Sequence, residues 1–191
     1  GALAGLAMAE ATLGHGPVTW QDRATVTTAY VDAAIRFIDH AAAADQPFFV
    51  NLWPDDVHSP FFPPRDLRAA TDGSKRALYH AVLTAMDRQL APLFDRIRND
   101  PRLRDNTLVL LCSDNGPEEG AGSSAPLRAS KGWLYEGGIR SPLVAWGPGL
   151  LAKDAAGTTN ATAVLSAVDL NRALYQICSA PLPPNAAPDG E

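Results

Sequence analysis

The chain has 191 residues, of which 46% are hydrophobic and 19% are charged, and its formal net charge at pH 7 is −5. A chain of this length and composition can bury a hydrophobic core, which excludes disorder of the whole chain. The acidic balance, without a concentrated basic face, excludes a protein that wraps nucleic acid. No apolar stretch approaches the roughly 20 residues that a membrane-spanning helix needs.

The amino-terminal residues 1–24 are predicted to form a poorly defined leader. The first nine residues are small and apolar, but they lack the basic start and the long apolar stretch of a complete secretory signal. Residues 25–178 carry the patterns of a folded domain. The Pro-rich residues 179–191 are predicted to be a tail or a truncated linker.

Three amphipathic patterns predict helices. Apolar residues recur at helical spacing over residues 25–44 and again over residues 75–98, so each segment has one stripe to bury. Ser166 and Asp169 fit a capping box, which predicts a third helix that continues to Ile177.

Strands are predicted between these helices. The apolar segment 48–53 lies between two prolines, and the run 107–112 shows no alternation of apolar and polar residues. Such a run is typical of a strand that is buried on both faces. A further strand is predicted at 143–146. This order of elements predicts a layered α/β/α domain with a mostly parallel central sheet.

Both cysteines are predicted to be small apolar fillers. Cys112 lies in the run 107–112, where a thiol usually packs as an apolar group. Neither Cys112 nor Cys178 has a His or Cys at metal-ligand spacing, and two cysteines alone do not define a disulfide framework.

Asp114 and Asn115 follow the run 107–112 almost directly. Ligands gather at the carboxyl ends of strands in open α/β sheets. Carboxylate and amide oxygens suit calcium or magnesium, whereas zinc normally takes His or Cys as well. Lys131 supplies a cation for an anionic substrate. The structural alternatives are that Asp-Asn-Gly is a plain turn and that Lys131 is a solvated surface charge.

The order of several segments resembles the sulfatase family of the alkaline-phosphatase-like superfamily. The segments are Pro-Phe-Phe-Val-Asn-Leu-Trp at 47–53, His-Ser-Pro at 58–60, Ser-Asp-Asn-Gly-Pro at 113–117 and Lys-Gly-Trp-Leu-Tyr-Glu-Gly-Gly-Ile-Arg at 131–140. The resemblance covers roughly residues 25–177. It implies that residues 25–178 are a portion of an α/β catalytic domain whose alkaline-phosphatase-like fold is incomplete here.

The resemblance implies a calcium-dependent sulfuric ester hydrolase, periplasmic or secreted, that acts on a sulfated small molecule or a sulfated polysaccharide. Asp114 and Asn115 match the family's calcium ligands, and Lys131 and His58 match its catalytic and substrate-binding contacts to the sulfate or the leaving-group oxygen. A divalent ion and an ammonium group can neutralise charge on a leaving oxygen. An imidazole can donate a proton there.

The family's nucleophile is a formylglycine made in a Cys/Ser-x-Pro-x-Arg motif of the amino-terminal section, which also carries an Asp-Asp metal pair. Neither feature precedes Thr25, and neither cysteine starts the motif. Asp55 and Asp56 look like a metal pair, but the resemblance places them in the substrate loop. It therefore implies one calcium ion with an incomplete ligand shell, and we expect the chain alone to be inactive.

Two alternatives stay open at this point. One is a phosphatase or phosphodiesterase of the same superfamily. The other is a non-catalytic, truncated relic that keeps the fold without the reaction.

Overall fold

A computed structural model describes residues 6–10 and 18–185 of the chain. The chain divides into two units, residues 1–151 and residues 152–191, and each is described by itself. Within the described ranges, no helix combines the length and the apolar composition needed to cross a bilayer.

Two long helices form the centre of the first unit. Helix α1 spans Val26–Ala43 and helix α3 spans Lys75–Asn99, which confirms the helices predicted from apolar periodicity. Their apolar stripes meet in the main core, together with Leu103 of the short helix α4, Pro101–Arg104. A short helix α2, Arg65–Ala69, precedes α3. The core residues contributed by α1 and α3 are Val31, Ala34, Ile38, Leu90, Leu93 and Ile97.

The strands pair in two separate ladders. Strand β1, Leu6–Glu10, lies antiparallel to β2, Val18–Asp22. Strand β3, Val109–Cys112, lies antiparallel to β4, Leu143–Trp146. The strands expected at 107–112 and 143–146 are therefore present, but in the described residues their pairing is antiparallel, whereas a mostly parallel sheet was expected.

The direction of the β3–β4 pair follows from how residues 113–142 return the chain. Cys112 at the end of β3 pairs with Leu143 at the start of β4. The connection thus closes at one end of the ladder, as in a long hairpin. Strands that are joined at the same end must run antiparallel.

Strand β3 is less buried than its sequence predicts. Val109 and Leu110 are half-buried, whereas Leu111 is 51% exposed. The only strand beside β3 in the described part of the chain is β4, and the main core reaches it at Val109. The prediction that Cys112 and Cys178 are buried fillers is wrong, because both thiols are exposed.

The segment 48–53 has no regular secondary structure and no ladder partner among the described residues, so the predicted strand is not formed here. Its side chains still alternate. Phe48, Val50 and Leu52 pack against the main core, while Phe49 is 65% and Trp53 is 78% exposed.

The second unit contains a 3₁₀ turn, Lys153–Ala155, and helix α6, Ala167–Ile177. The backbone N–H of Ser166 donates to Oδ2 of Asp169 at 2.7 Å. This contact is half of a capping box, and α6 begins where the sequence predicts it.

Candidate active site

The loop after β3 places the side chains of Asp114 and Asn115 in contact. Asn115 Nδ2 donates a hydrogen bond to Asp114 Oδ1. The loop is held by two serine hydroxyls, since Ser113 Oγ donates to the Asn115 carbonyl at 2.9 Å and Ser141 Oγ donates to the Ser113 carbonyl at 2.7 Å. Two oxygen-bearing side chains therefore lie together at the carboxyl end of a strand.

Glycines allow this loop to pack closely against the short helix α5, Glu136–Ile139. The Gly116 N–H donates to the Gly138 carbonyl at 2.8 Å. A Cβ on Gly116 would lie 1.9 Å from the Gly137 carbonyl oxygen, and a Cβ on Gly138 would lie 2.0 Å from that of Trp133. No larger residue allows such approaches, so these glycines are what lets the two segments pack closely.

The same packing brings the backbone of Lys131 to the loop. The Lys131 N–H donates to the Pro117 carbonyl at 2.9 Å, and the Gly137 N–H donates to the Arg128 carbonyl at 2.9 Å. The backbone turns directly after Lys131 through Gly132, whose φ is +92°. The half-buried Lys131 thus belongs to a segment that is fastened to the one carrying Asp114 and Asn115.

A second loop carries His58 and is fastened by Arg23. The Arg23 guanidinium donates to the Asp55 carbonyl at 3.1 Å and to the His58 carbonyl at 2.9 Å. It also forms an ion pair with the Asp55 carboxylate at 2.7 Å. Because one rigid guanidinium binds both ends of residues 55–58, the backbone at His58 is fixed relative to the turn that precedes α1.

The neighbouring carboxylate anchors this loop from the other side. Asp56 is 5% exposed; its carboxylate accepts from Thr27 Oγ1 and from Gln89 Nε2, the latter at 3.0 Å. Burial raises the pKa of Asp56 above its usual range, against the opposing effect of these hydrogen bonds. Asp55 and Asp56 therefore point to different partners, and they do not form the metal pair that their sequence suggests.

The His58 ring is exposed and contacts the backbone of the next residue. Its Nδ1 lies 2.8 Å from the Ser59 carbonyl oxygen. A carbonyl oxygen can only accept, so Nδ1 carries the hydrogen of this bond. Nε2 is then the ring nitrogen left for a substrate.

Glu118, for which no sequence pattern predicts a role, connects the segment after Asn115 to the start of α3. Its carboxylate pairs with the Lys75 ammonium at 2.7 Å. The hydrogen bond to Lys75 is the main cause that lowers the pKa of Glu118, and a Ser59 hydrogen bond and the charges of Lys75 and Lys131 act in the same direction. Pro117, which precedes Glu118, accepts from the Lys131 N–H, so Glu118 lies where the start of α3 and the Lys131 segment meet.

Asp114 and Asn115 fit a calcium or magnesium ion in ligand type, because both offer oxygen atoms and their side chains are adjacent. They do not fill its coordination in number, since calcium takes about six to eight oxygens. In residues 6–10 and 18–185, no group of three or more His, Cys, Asp or Glu side chains is placed to hold a metal. The pair alone could therefore supply only part of such a ligand shell.

The Ser-x-Pro-x-Arg pattern itself occurs at residues 124–128, away from the amino-terminal section in which the family carries it. Ser124 lies in a turn, where the Leu127 N–H donates to its carbonyl at 2.8 Å. Its hydroxyl donates to the Ala129 carbonyl. The hydroxyl is thus engaged in holding a turn, and we assign it no nucleophilic role.

Comparison with known proteins gives consistent matches. The family model described as Sulfatase matches residues 8–178. A sulfatase from Formosa agariphila is 31% identical over 173 residues, which are 83% of this chain and 31% of that protein. Human arylsulfatase A is 34% identical over 165 residues, which are 84% of this chain and 31% of that protein. This chain therefore spans about a third of the length of these curated relatives.

The crystal structure of Ps i-CgsB in complex with k-i-k-neocarrahexaose has the same fold. Its TM-score is 0.77 at 28% identity, over 93% of this chain and 39% of that chain. This likeness confirms the α/β class and the incomplete alkaline-phosphatase-like fold that the resemblance implied. Because the family model matches most of the sequence, the chain belongs to the sulfatase family.

Proposed function

We propose that this chain carries part of the active site of a calcium-dependent sulfatase, which hydrolyses a sulfate ester to an alcohol and sulfate. The observation that carries the proposal is the pair of backbone hydrogen bonds, Lys131 N–H to Pro117 and Gly116 N–H to Gly138, that fasten the Lys131 segment to the Asp114 loop. Family membership supports the class of reaction.

Lys131 binds the sulfate group in this proposal. Its ammonium faces an anion that carries its charge on peripheral oxygens, and it stabilises the charge that shifts to the leaving oxygen as the S–O bond breaks. The backbone of Lys131 is held against the loop, so little reorganisation is needed when the substrate binds.

His58 acts on the leaving-group oxygen. With Nδ1 donating to Ser59, an imidazolium donates from Nε2 and passes its proton to the departing alkoxide. The neutral ring keeps its hydrogen on Nδ1 and presents an acceptor at Nε2 instead. The hydrogen bonds of Arg23 to the His58 carbonyl and of Gln89 to the Asp56 carboxylate hold the backbone of the His58 loop in place.

Asp114 and Asn115 hold part of the calcium shell. When bound, the ion supplies positive charge that stabilises the oxyanion of the reacting group. The remaining ligands and the nucleophile are not assigned to residues of this chain, and we expect the 191 residues alone to turn over little or no sulfate ester.

The substrate is a sulfated small molecule or a sulfated polysaccharide. Arylsulfatase A is a relative by sequence, and the similar solved structure holds k-i-k-neocarrahexaose; these two findings support both classes. The proposal includes a periplasmic or secreted location, which cell fractionation of the source organism tests.

The experiment compares hydrolysis of an aryl sulfate and an aryl phosphate by the natural polypeptide that contains these residues, with and without a calcium chelator. Lys131→Ala and His58→Ala are each expected to lower kcat/KM by about 100-fold or more. Asp114→Ala is expected to raise the calcium concentration needed for half-maximal activity. The matched control is Lys153→Ala, an exposed lysine of the second unit, which should leave activity unchanged.

Preference for the phosphate ester would replace the proposal by the phosphatase alternative. Activity that survives both Lys131→Ala and His58→Ala would remove these residues from the site. Absence of any ester hydrolysis by the natural polypeptide would support the non-catalytic relic.

A further inference from the structure

Glu118 brings a negative charge to a site that is proposed to bind an anion. Its side chain is 22% exposed, and its carboxylate meets the Lys75 ammonium at 2.7 Å. Lys75 is held in this position by a second bond, because its Nζ donates to the Glu119 carbonyl at 2.8 Å. The Glu118 backbone is fixed too, since its carbonyl accepts from Ala121 N–H at 3.1 Å and from Gly122 N–H at 3.2 Å.

Two cations, Lys75 and Lys131, lie near the single carboxylate of Glu118. Lys131 is held beside Glu118 because its N–H donates to the carbonyl of the preceding residue, Pro117, at 2.9 Å. Lys75 alone forms the close ion pair. With Lys75 in place the cluster keeps a net charge of about +1 near Lys131; without Lys75 the carboxylate would cancel the Lys131 charge.

We propose that Lys75 is a positioning residue that neutralises Glu118, so that the charge of Lys131 stays available for the anionic group of the substrate. The inference deepens the proposed function and rests on it for the identity of the anion. It explains how a carboxylate can lie beside the Lys131 segment without repelling a sulfate ester.

The proposal makes opposite predictions for the two partners. Lys75→Met leaves Glu118 without its counterion and should weaken anion binding by about two- to fivefold, the range for a half-exposed charge. Glu118→Gln removes the competing charge and should strengthen anion binding by a similar factor. The double variant restores the wild-type net charge and should bind as the wild type does.

The first readout uses inorganic sulfate and the 191-residue chain. Titration calorimetry gives the Kd of each variant, and the differences should shrink as sodium chloride increases, because salt screens half-exposed charges. The matched control is the exposed ion pair of Arg98 and Asp95, which lies about 35 Å along α3 from Lys75. Arg98→Met should leave the sulfate Kd unchanged.

The second readout is the natural polypeptide with an aryl sulfate. Lys75→Met should raise KM by about two- to fivefold with little change in kcat. Weakening of sulfate binding by both single variants would show a merely structural bridge and overturn the proposal. Wild-type chain that binds no sulfate would also overturn it.

These outcomes separate this proposal from the proposed function. If the natural polypeptide hydrolyses no sulfate ester while the opposite shifts in sulfate Kd are found, the function fails and the charge arrangement stands. If hydrolysis is found but Lys75→Met leaves KM and Kd unchanged, the function stands and this inference fails.

Discussion

Replacement of Asp56 tests whether the loop that carries His58 is anchored as described. In Asp56→Ala, Gln89 Nε2 keeps its bonds to the Ala24 carbonyl at 3.3 Å and the Ala85 carbonyl at 3.2 Å. Thr27 is 0% exposed and loses the acceptor of its hydroxyl. A buried donor without a partner costs about 1 to 3 kcal/mol, which is the expected loss in the free energy of unfolding.

Asp56→Asn separates the hydrogen bonds from the charge. An amide can accept from Gln89 Nε2 and donate to Thr27 Oγ1. The free energy of unfolding of this variant should therefore lie within about 1 kcal/mol of the wild-type value at neutral pH. The control Asp87→Ala removes an exposed carboxylate from α3 and should change the unfolding free energy by less than about 0.5 kcal/mol.

The pH dependence has a defined sign. Burial raises the pKa of Asp56 from its ordinary value of 3.8, so the folded protein holds this proton more tightly than the unfolded chain does. The resulting stability is fully present below pH 3.8 and is lost as the pH rises through the raised folded value. Relative to Asp56→Asn, the wild type should therefore become more stable as the pH falls.

The assay is urea denaturation of the wild type, both Asp56 variants and Asp87→Ala, at pH values from below 3.8 up to neutral pH. If Asp56→Ala lowers the free energy of unfolding by no more than Asp87→Ala does, the anchoring role of Asp56 is refuted. A difference between wild type and Asp56→Asn that does not change with pH would refute the assigned cause of the pKa shift.

Three further predictions concern packing and chemistry. Thr107 Oγ1 is buried without a hydrogen-bond partner in the described part of the chain, so Thr107→Val should raise the unfolding free energy by about 1 kcal/mol in urea denaturation; a decrease would contradict this. Gly138→Ala forces a Cβ to 2.0 Å from the Trp133 carbonyl oxygen and should lower the free energy of unfolding by at least about 3 kcal/mol. Gly132→Ala is strained only through its φ of +92° and should lower it by about 1 to 2 kcal/mol. Equal losses in the two variants would refute the clash at Gly138. Peptide mass spectrometry of the natural protein should find Ser124 as unmodified serine, and a formylglycine there would contradict its assignment to a turn.

Local patterns in the sequence predict the longer helices well, because an amphipathic stripe is a property of one segment, whereas the short helices α2, α4 and α5 carry no such stripe. The periodicity over residues 25–44 and 75–98 gives α1 and α3 to within a residue or two at each end. Strands depend on partners elsewhere. The segment 48–53 keeps the alternation of a strand, with Phe49 and Trp53 exposed, but pairing needs a neighbour that its own residues do not specify.

Contacts between distant residues explain what sequence patterns missed at the site. Lys75 and Glu118 are 43 positions apart, and Arg23 reaches a carbonyl 35 positions away. Neither contact leaves a spacing motif. The strand end and the chemistry of the side chains already indicated Asp114, Asn115 and Lys131, whereas His58 could be named only through the family resemblance. The proposed roles of all four remain predictions.

The structure separates carboxylates that sequence alone treats alike. Asp55 and Asp56 stand side by side as a metal pair would, yet Arg23 binds the first at 2.7 Å and Asp56 is 5% exposed. A cation entering there would have to break an ion pair and open a packed contact between α1 and α3. Their structural bonds therefore oppose metal binding, whatever their spacing.

Asp114 differs from Asp55 and Asp56 in that its carboxylate is accessible and forms no ion pair among the described residues. It is exposed, and its hydrogen-bond partner in the described ranges is the Asn115 amide, itself a source of a ligand oxygen. An incoming cation displaces a hydrogen bond between two prospective ligands and breaks no ion pair. Glu118, three residues after Asn115, already has Lys75 as its counterion. The contacts of the loop thus leave the Asp114 carboxylate accessible to a cation, whereas Glu118 is already paired, and the role of Asp114 as a ligand remains a prediction.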